Sequence, residues 1–198
     1  MKHEGEWLLG ALGAAGAYLL AIMPERKHRA ERMKGIFYAH RGLHDLEAGV
    51  PENSMAAFAA AVEKGYGIEL DVQLTKDQIP VVFHDFTLKR VCSVEGRVKD
   101  YTFEELQQFS IEGTNQRIPK FADVLRLVNG AVPLLIELKC PDLGCEICRL
   151  ADRELQGYHG SYTIESFSPM ALLWYRRHRP EIPRGQLAMN YQRQEGHY

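Results

Sequence analysis

Two periodicities of apolar residues run along this chain. Short apolar runs at residues 35–40, 67–74, 80–84, 133–139, 162–167 and 185–189 read as strands. Between them the spacing becomes helical. The clearest case is 53–64, where Met55, Phe58, Ala59 and Val62 recur on one face, with Asn53 placed to cap it. Further helical stretches fall at 102–109, 121–129, 145–156 and 169–178. Strands separated by helices imply a parallel sheet, either doubly wound or closed into a barrel. The sequence holds no internal repeat and no low-complexity stretch.

Residues 7–23 break this pattern, being 17 residues without a charge. As a helix they would extend about 26 Å at about 1.5 Å per residue, close to the roughly 30 Å of a hydrocarbon core. Glu4 and Glu6 follow Lys2, and no small-x-small cleavage site precedes Pro24, so the segment reads as an uncleaved anchor. Arg26, Lys27, Arg29, Arg32 and Lys34 follow it, against one lysine before it. That asymmetry puts the C-terminal side in the cytoplasm, behind a basic linker able to lie on anionic headgroups. The expected organisation is a single-pass membrane anchor and linker at 1–34 and one domain at 35–198. A buried or interfacial helix is the other reading of the run.

Composition narrows the function classes. The 24 Lys and Arg against 26 Asp and Glu give a net charge of −2, without the basic excess of a nucleic-acid binder. With 45% hydrophobic and 25% charged residues the chain is globular. Four cysteines in this length do not make a disulfide scaffold. Cys140, Cys145 and Cys148 have C-x4-C-x2-C spacing but lack a fourth Cys or a suitably spaced His, and two of them read as small buried thiols on one helical turn.

Candidate chemistry sits where strands end. In residues 67–73, Ile68, Leu70 and Val72 alternate with Glu69 and Asp71, so both carboxylates share one strand face. Glu137 ends another apolar run, with Lys139 on its face. Three carboxylates at strand ends suit a hard divalent ion such as Mg²⁺ or Ca²⁺, whereas zinc more often recruits His or Cys. His40 closes the first strand ahead of Arg41, and His84 closes the third ahead of Asp85. Two histidines can exchange protons at neutral pH, Arg41 offers a planar donor fork for phosphate oxygens, and Lys139 offers a point charge. Together these groups describe cleavage of a phosphate ester. Glu52 could reach the metal or favour a helix N-terminus, Asp85 could orient a neighbour, and Phe167 could form a substrate wall or pack.

His40-Arg41-Gly42, Pro51-Glu52-Asn53-Ser54, Glu69-Leu70-Asp71, His84-Asp85 and Glu137-Leu138-Lys139, in that order, resemble the glycerophosphodiester phosphodiesterase family. The resemblance runs from Ile36 to about Met189. It implies an α/β fold, a TIM-type (β/α)8 barrel of the phospholipase C-like phosphodiesterase kind, of which about six strand-helix units are expected here. It also implies a small-molecule glycerophosphodiester substrate, hydrolysed to sn-glycerol 3-phosphate and an alcohol with a divalent metal. By motif, His40 and His84 are the acid/base pair, Glu69, Asp71 and Glu137 the metal ligands, and Arg41 and Lys139 the phosphate contacts. Ser54 stands where the family usually has Thr. The anchor adds two alternatives: a phosphodiesterase acting on lysophospholipid or lipid headgroups, and a non-catalytic membrane protein. Setting aside 34 residues leaves 198 − 34 = 164 for a barrel that needs about 200, so an incomplete barrel is expected. Oligomeric state is not legible in the sequence.

Overall fold

Strand β2 (Gly67–Leu74) fixes the two sides of the sheet. Its Ile68, Leu70 and Val72 are fully buried in a core shared with the helices, and Glu69 and Asp71 project from the opposite face. The structure is a computed structural model that describes residues 34–140 and 144–189, with seven positions between 13 and 23. Around β2 the parallel order is β1 (Tyr38–Ala39), β2, β4 (Leu134–Leu138), β5 (Tyr162–Ser166) and β6 (Arg184–Gln186). The register sets Asp71 beside Glu137 and Glu137 beside Glu165. Four acidic side chains therefore share the face turned away from the helices.

That helix layer is α1 (Met55–Lys64), α4 (Phe121–Val128), α5 (Glu146–Leu155) and α6 (Pro169–His178). Each packs on the next in that order, as a ring of helices does around a barrel and not as on the two faces of a doubly wound sheet. Phe58, Phe121, Ile147 and Tyr175 join Leu70, Ile136 and Ile164 in one core. Full burial of a Leu, Ile or Phe there is worth about 1.5–3 kcal/mol over exposure, which holds the layer to the sheet.

Strand β3 (Pro80–Val82) corrects the expectation of six parallel strands. It pairs antiparallel to the end of β2, Val82 beside Val72 and Pro80 beside Leu74. The connection of residues 75–79 is a hairpin loop, closed by Thr75 N–H donating to Ile79 O (3.1 Å) and Ile79 N–H to Thr75 Oγ1 (2.9 Å). A parallel crossover needs a dozen or more residues. Five strands among the described residues thus follow barrel order, and the sixth leads into an insertion with its own core of Phe83, Leu88, Val98, Leu106, Ile111 and Ile118. The insertion carries α2 (Lys89–Cys92), a 3-10 turn (Val98–Asp100) and α3 (Phe103–Leu106), the last closed by a Thr102–Glu105 capping box.

The cap of α1 is also corrected. Ser54, not Asn53, accepts from Ala57 N–H (3.1 Å) and donates to Pro51 O (2.7 Å), so the hydroxyl at this position closes the helix start. Most of the expected anchor at 7–23, and Arg26, Lys27, Arg29 and Arg32 of the linker, lie outside the described residues. Among the described residues no helix is long and apolar enough to cross a membrane.

Candidate active site

The turn after β1 places the first group. Arg41 and Gly42 both have left-handed backbone (φ 58° and 82°), and Gly42 N–H donates to Ala39 O (3.1 Å). Helix α1 starts so close that a Cβ on Gly42 would lie 2.8 Å from the Ala57 Cβ. The turn is tied down twice more: Leu43 N–H donates to Ala57 O (3.0 Å) and Asn53 N–H to Arg41 O (2.9 Å). Asn53, released from capping, is itself left-handed (φ 51°) and donates Nδ2–H to Asp71 Oδ2 (3.0 Å). A non-glycine residue held in this region stores strain of about 1–3 kcal/mol and is often found at functional sites.

On the acidic face, single oxygens of Glu69, Asp71 and Glu137 all lie within 4.8 Å of one another. Glu69 accepts from the Arg41 backbone N–H (2.9 Å), and the His40 Nε2 lies 3.9 Å from the same carboxylate. The Lys139 ammonium sits 3.0 Å from Asp71 and 2.8 Å from Glu137. Burial and the charge of Asp71 push Glu69 up to about 8, and burial raises Glu137 despite Lys139. Burial would raise Asp71 too, but Lys139, His84 and Asn53 outweigh it and hold Asp71 below the usual range. Were all three carboxylates ionised, the one ammonium among them would leave an excess of negative charge, and this cost is what keeps a proton on Glu69 above the ordinary range. The donor set fits a hard divalent cation, which takes oxygen ligands and relieves that excess.

A second network joins the two histidine-bearing turns. The His84 ring Nδ1 lies 2.6 Å from Asp85 Oδ1. Arg90 donates Nε–H to Asp85 Oδ2 (2.6 Å) and Nη2–H to Glu52 Oε1 (2.6 Å). Arg41 Nη1 donates to both Glu52 oxygens (3.0 and 3.1 Å). Burial would raise Asp85, but the bonds from His84 and Arg90 hold it far below the usual range, so it is ionised and accepts from His84 Nδ1–H. Burial, and then the neighbouring Arg41, lower the His40 imidazole. Gln73 Nε2 donates to the carbonyls of Phe83, His84 and Asp85 (2.8, 3.2 and 2.7 Å), fixing the turn that bears His84.

The structure thus brings together Glu69, Asp71, Glu137 and Lys139, with His40 and Arg41 at their edge. It joins Arg41 to His84 and Asp85 through Glu52 and Arg90. Glu52 is not among the converging carboxylates; it is the anion between two guanidinium groups. Phe167 is exposed just past β5. Sequence reasoning missed Arg90, Gln73 and the role of Asn53. Only Gln73 left a signal, two residues beyond Asp71 on the same strand face.

The Glycerophosphoryl diester phosphodiesterase family profile matches residues 40–196, most of the chain. The chain belongs to that family. A glycerophosphodiester phosphodiesterase of Caldanaerobacter subterraneus subsp. tengcongensis is 46% identical over 103 residues, covering 48% of this chain and 41% of that protein. One from Bacillus altitudinis is 42% identical over 109 residues, covering 52% and 43%. The chain thus matches less than half the length of these family members. Among solved structures, an Oleispira antarctica phosphodiesterase in complex with the product sn-glycerol-3-phosphate superposes with a TM-score of 0.72 at 28% identity, covering 79% of this chain and 67% of that one. The Thermotoga maritima glycerophosphodiester phosphodiesterase gives 0.63 at 27% identity, covering 79% and 63%. The barrel-ordered strands and the helix ring described above agree with membership of this (β/α)8 family.

Proposed function

We propose that this chain hydrolyses glycerophosphodiesters to sn-glycerol 3-phosphate and an alcohol, with His40 and His84 as the acid/base pair. The observation that carries the reading is the convergence of Glu69, Asp71 and Glu137 on one face of the barrel-ordered strands, beside a Lys and two His-bearing turns. With Asp85 accepting from Nδ1–H, the His84 ring is oriented to give a proton from Nε2 to the leaving alcohol. His40, its pKa lowered, is neutral at pH 7 and able to accept a proton. Arg41 and Lys139 add fixed positive charge for the phosphate oxygens. A divalent cation such as Mg²⁺ or Ca²⁺, held by Glu69, Asp71 and Glu137, supplies further neutralisation of phosphoryl charge.

The test is release of glycerol 3-phosphate from glycerophosphocholine with Mg²⁺ or Ca²⁺. Release is expected to vanish with EDTA and to fall at least 100-fold in His84→Ala. Release that survives both would sink the reading. Membrane attachment, with the barrel on the cytosolic side, rests on the uncharged run at 7–23 and the basic residues after it. It is checked by whether the full chain resists alkaline extraction from membranes.

A further inference from the structure

Beside the acidic cluster lies a cavity of about 690 Å³, a volume within the roughly 300–1,000 Å³ of small-molecule sites. Lys139 lines both, so the cavity opens next to the place proposed for the scissile phosphate. Its other walls come from the β2–β3 hairpin, the Phe86 segment, the Arg97–Lys99 turn and the start of α5. Lys76, Arg97 and Lys99 contribute three more cations, and none makes an ion pair within 4.0 Å among the described residues. Among the described residues, the carboxylates nearest these cations have partners of their own. Asp77 accepts from Thr75 Oγ1–H (2.6 Å) and Phe103 N–H (3.0 Å), Asp100 accepts from Arg97 N–H (2.8 Å), and the lining Glu146 pairs with Arg149.

Among the described residues, a cavity wall with three cations outside any ion pair, beside the already paired Lys139 and one neutralised carboxylate, attracts anions. We propose that it receives the leaving alcohol of the phosphodiester, and that this alcohol carries an anionic group of its own, as a phosphorylated polyol does. The inference rests on the phosphodiesterase reading above and goes beyond it in naming the leaving-group class. A neutral or cationic alcohol such as choline gains nothing from Lys76, Arg97 and Lys99. A phosphorylated one gains three charge-assisted partners, an advantage that shrinks as salt screens it.

The test has two arms on the full chain. In the first, kcat/KM is compared for glycerophosphoinositol 4-phosphate and glycerophosphocholine at low salt. The anionic substrate should be favoured at least tenfold, and the ratio should fall to about one in the R97Q/K99Q variant and at high salt. In the second, binding of inositol 4-phosphate is measured by calorimetry, with inorganic phosphate for comparison. Inositol 4-phosphate should bind more tightly than phosphate and lose at least tenfold in R97Q/K99Q. Circular dichroism of the variant verifies its fold, and both residues are exposed. Turnover without preference between the substrates, or equal binding of inositol 4-phosphate and phosphate, would overturn the proposal. Charge-dependent binding of inositol 4-phosphate without turnover of either substrate supports the anion site and counts against the phosphodiesterase reading alone. No turnover and no binding overturns both.

Discussion

Gly42→Ala tests how tightly the His40–Gly42 turn is wedged against α1. The substitution acts twice. At φ 82° an L side chain costs about 1–2 kcal/mol through contact of its Cβ with the backbone. In addition the new Cβ meets the Ala57 Cβ at 2.8 Å, the Ala57 carbonyl carbon at 3.0 Å and Phe58 Cδ1 at 3.1 Å. Ala57 and Phe58 are fully buried in the first turns of α1, so the backbone must shift, which adds about 1–3 kcal/mol. The expected loss is about 2–5 kcal/mol, a large fraction of a domain's usual 5–15 kcal/mol. Gly49→Ala is the control. Its φ is 75°, yet nothing lies within 4 Å of the added Cβ, so it carries the backbone cost alone, about 1–2 kcal/mol. Urea denaturation followed by far-UV circular dichroism measures both. Equal losses in the two variants would refute the wedging of the turn against the helix.

Other consequences are open to measurement. Arg90→Gln removes the cation shared by Asp85 and Glu52; being half-exposed it should cost about 1 kcal/mol or less in stability, while kcat/KM falls roughly tenfold or more through loss of His84 orientation, and an unchanged pH–rate profile would contradict that role. Without divalent cation, Glu69 is raised from the ordinary 4.5 to about 8, so between those values the folded state keeps a proton that the unfolded state has lost. Stability of the EDTA-treated protein should therefore fall as pH rises through that window, and Mg²⁺ or Ca²⁺ should raise Tm most at its upper end; a cation effect independent of pH would count against the site. Burial and Glu112 push the Cys92 thiol up to about 11, and burial, then Cys140 and Cys145, push Cys148 higher still. At pH 8 the half-buried Cys140 and Cys145 should react with a thiol reagent first, and the opposite order would show that the packing is wrong.

Much of this was legible in the sequence. The alternation in 67–74 gave β2 and the shared face of Glu69 and Asp71, and 169–178 coincides with α6. Direction was harder, because a period of two is the same in parallel and antiparallel strands. What argued against a parallel β3 was the five-residue gap after Leu74, too short for a crossover. Asn53 read as a cap because Asn and Ser are equally good N-caps; only the fold shows Ser54 taking that role and Asn53 turning to Asp71. Arg90 could not be found by spacing. It lies in a four-residue helix of the insertion and reaches Glu52, 38 residues away, only after the insertion folds back on the barrel.

The most direct measurement is glycerol 3-phosphate released from glycerophosphocholine by the wild-type chain and by Asp71→Asn, each titrated with Mg²⁺ or Ca²⁺. Asp71 is fully buried, touches Lys139 and Asn53, and is one of the three converging carboxylates. Saturable, cation-dependent release by the wild type, with none detectable from a folded Asp71→Asn variant, is expected. Equal release by the two proteins, or wild-type release indifferent to cation, would contradict the assignment of this site.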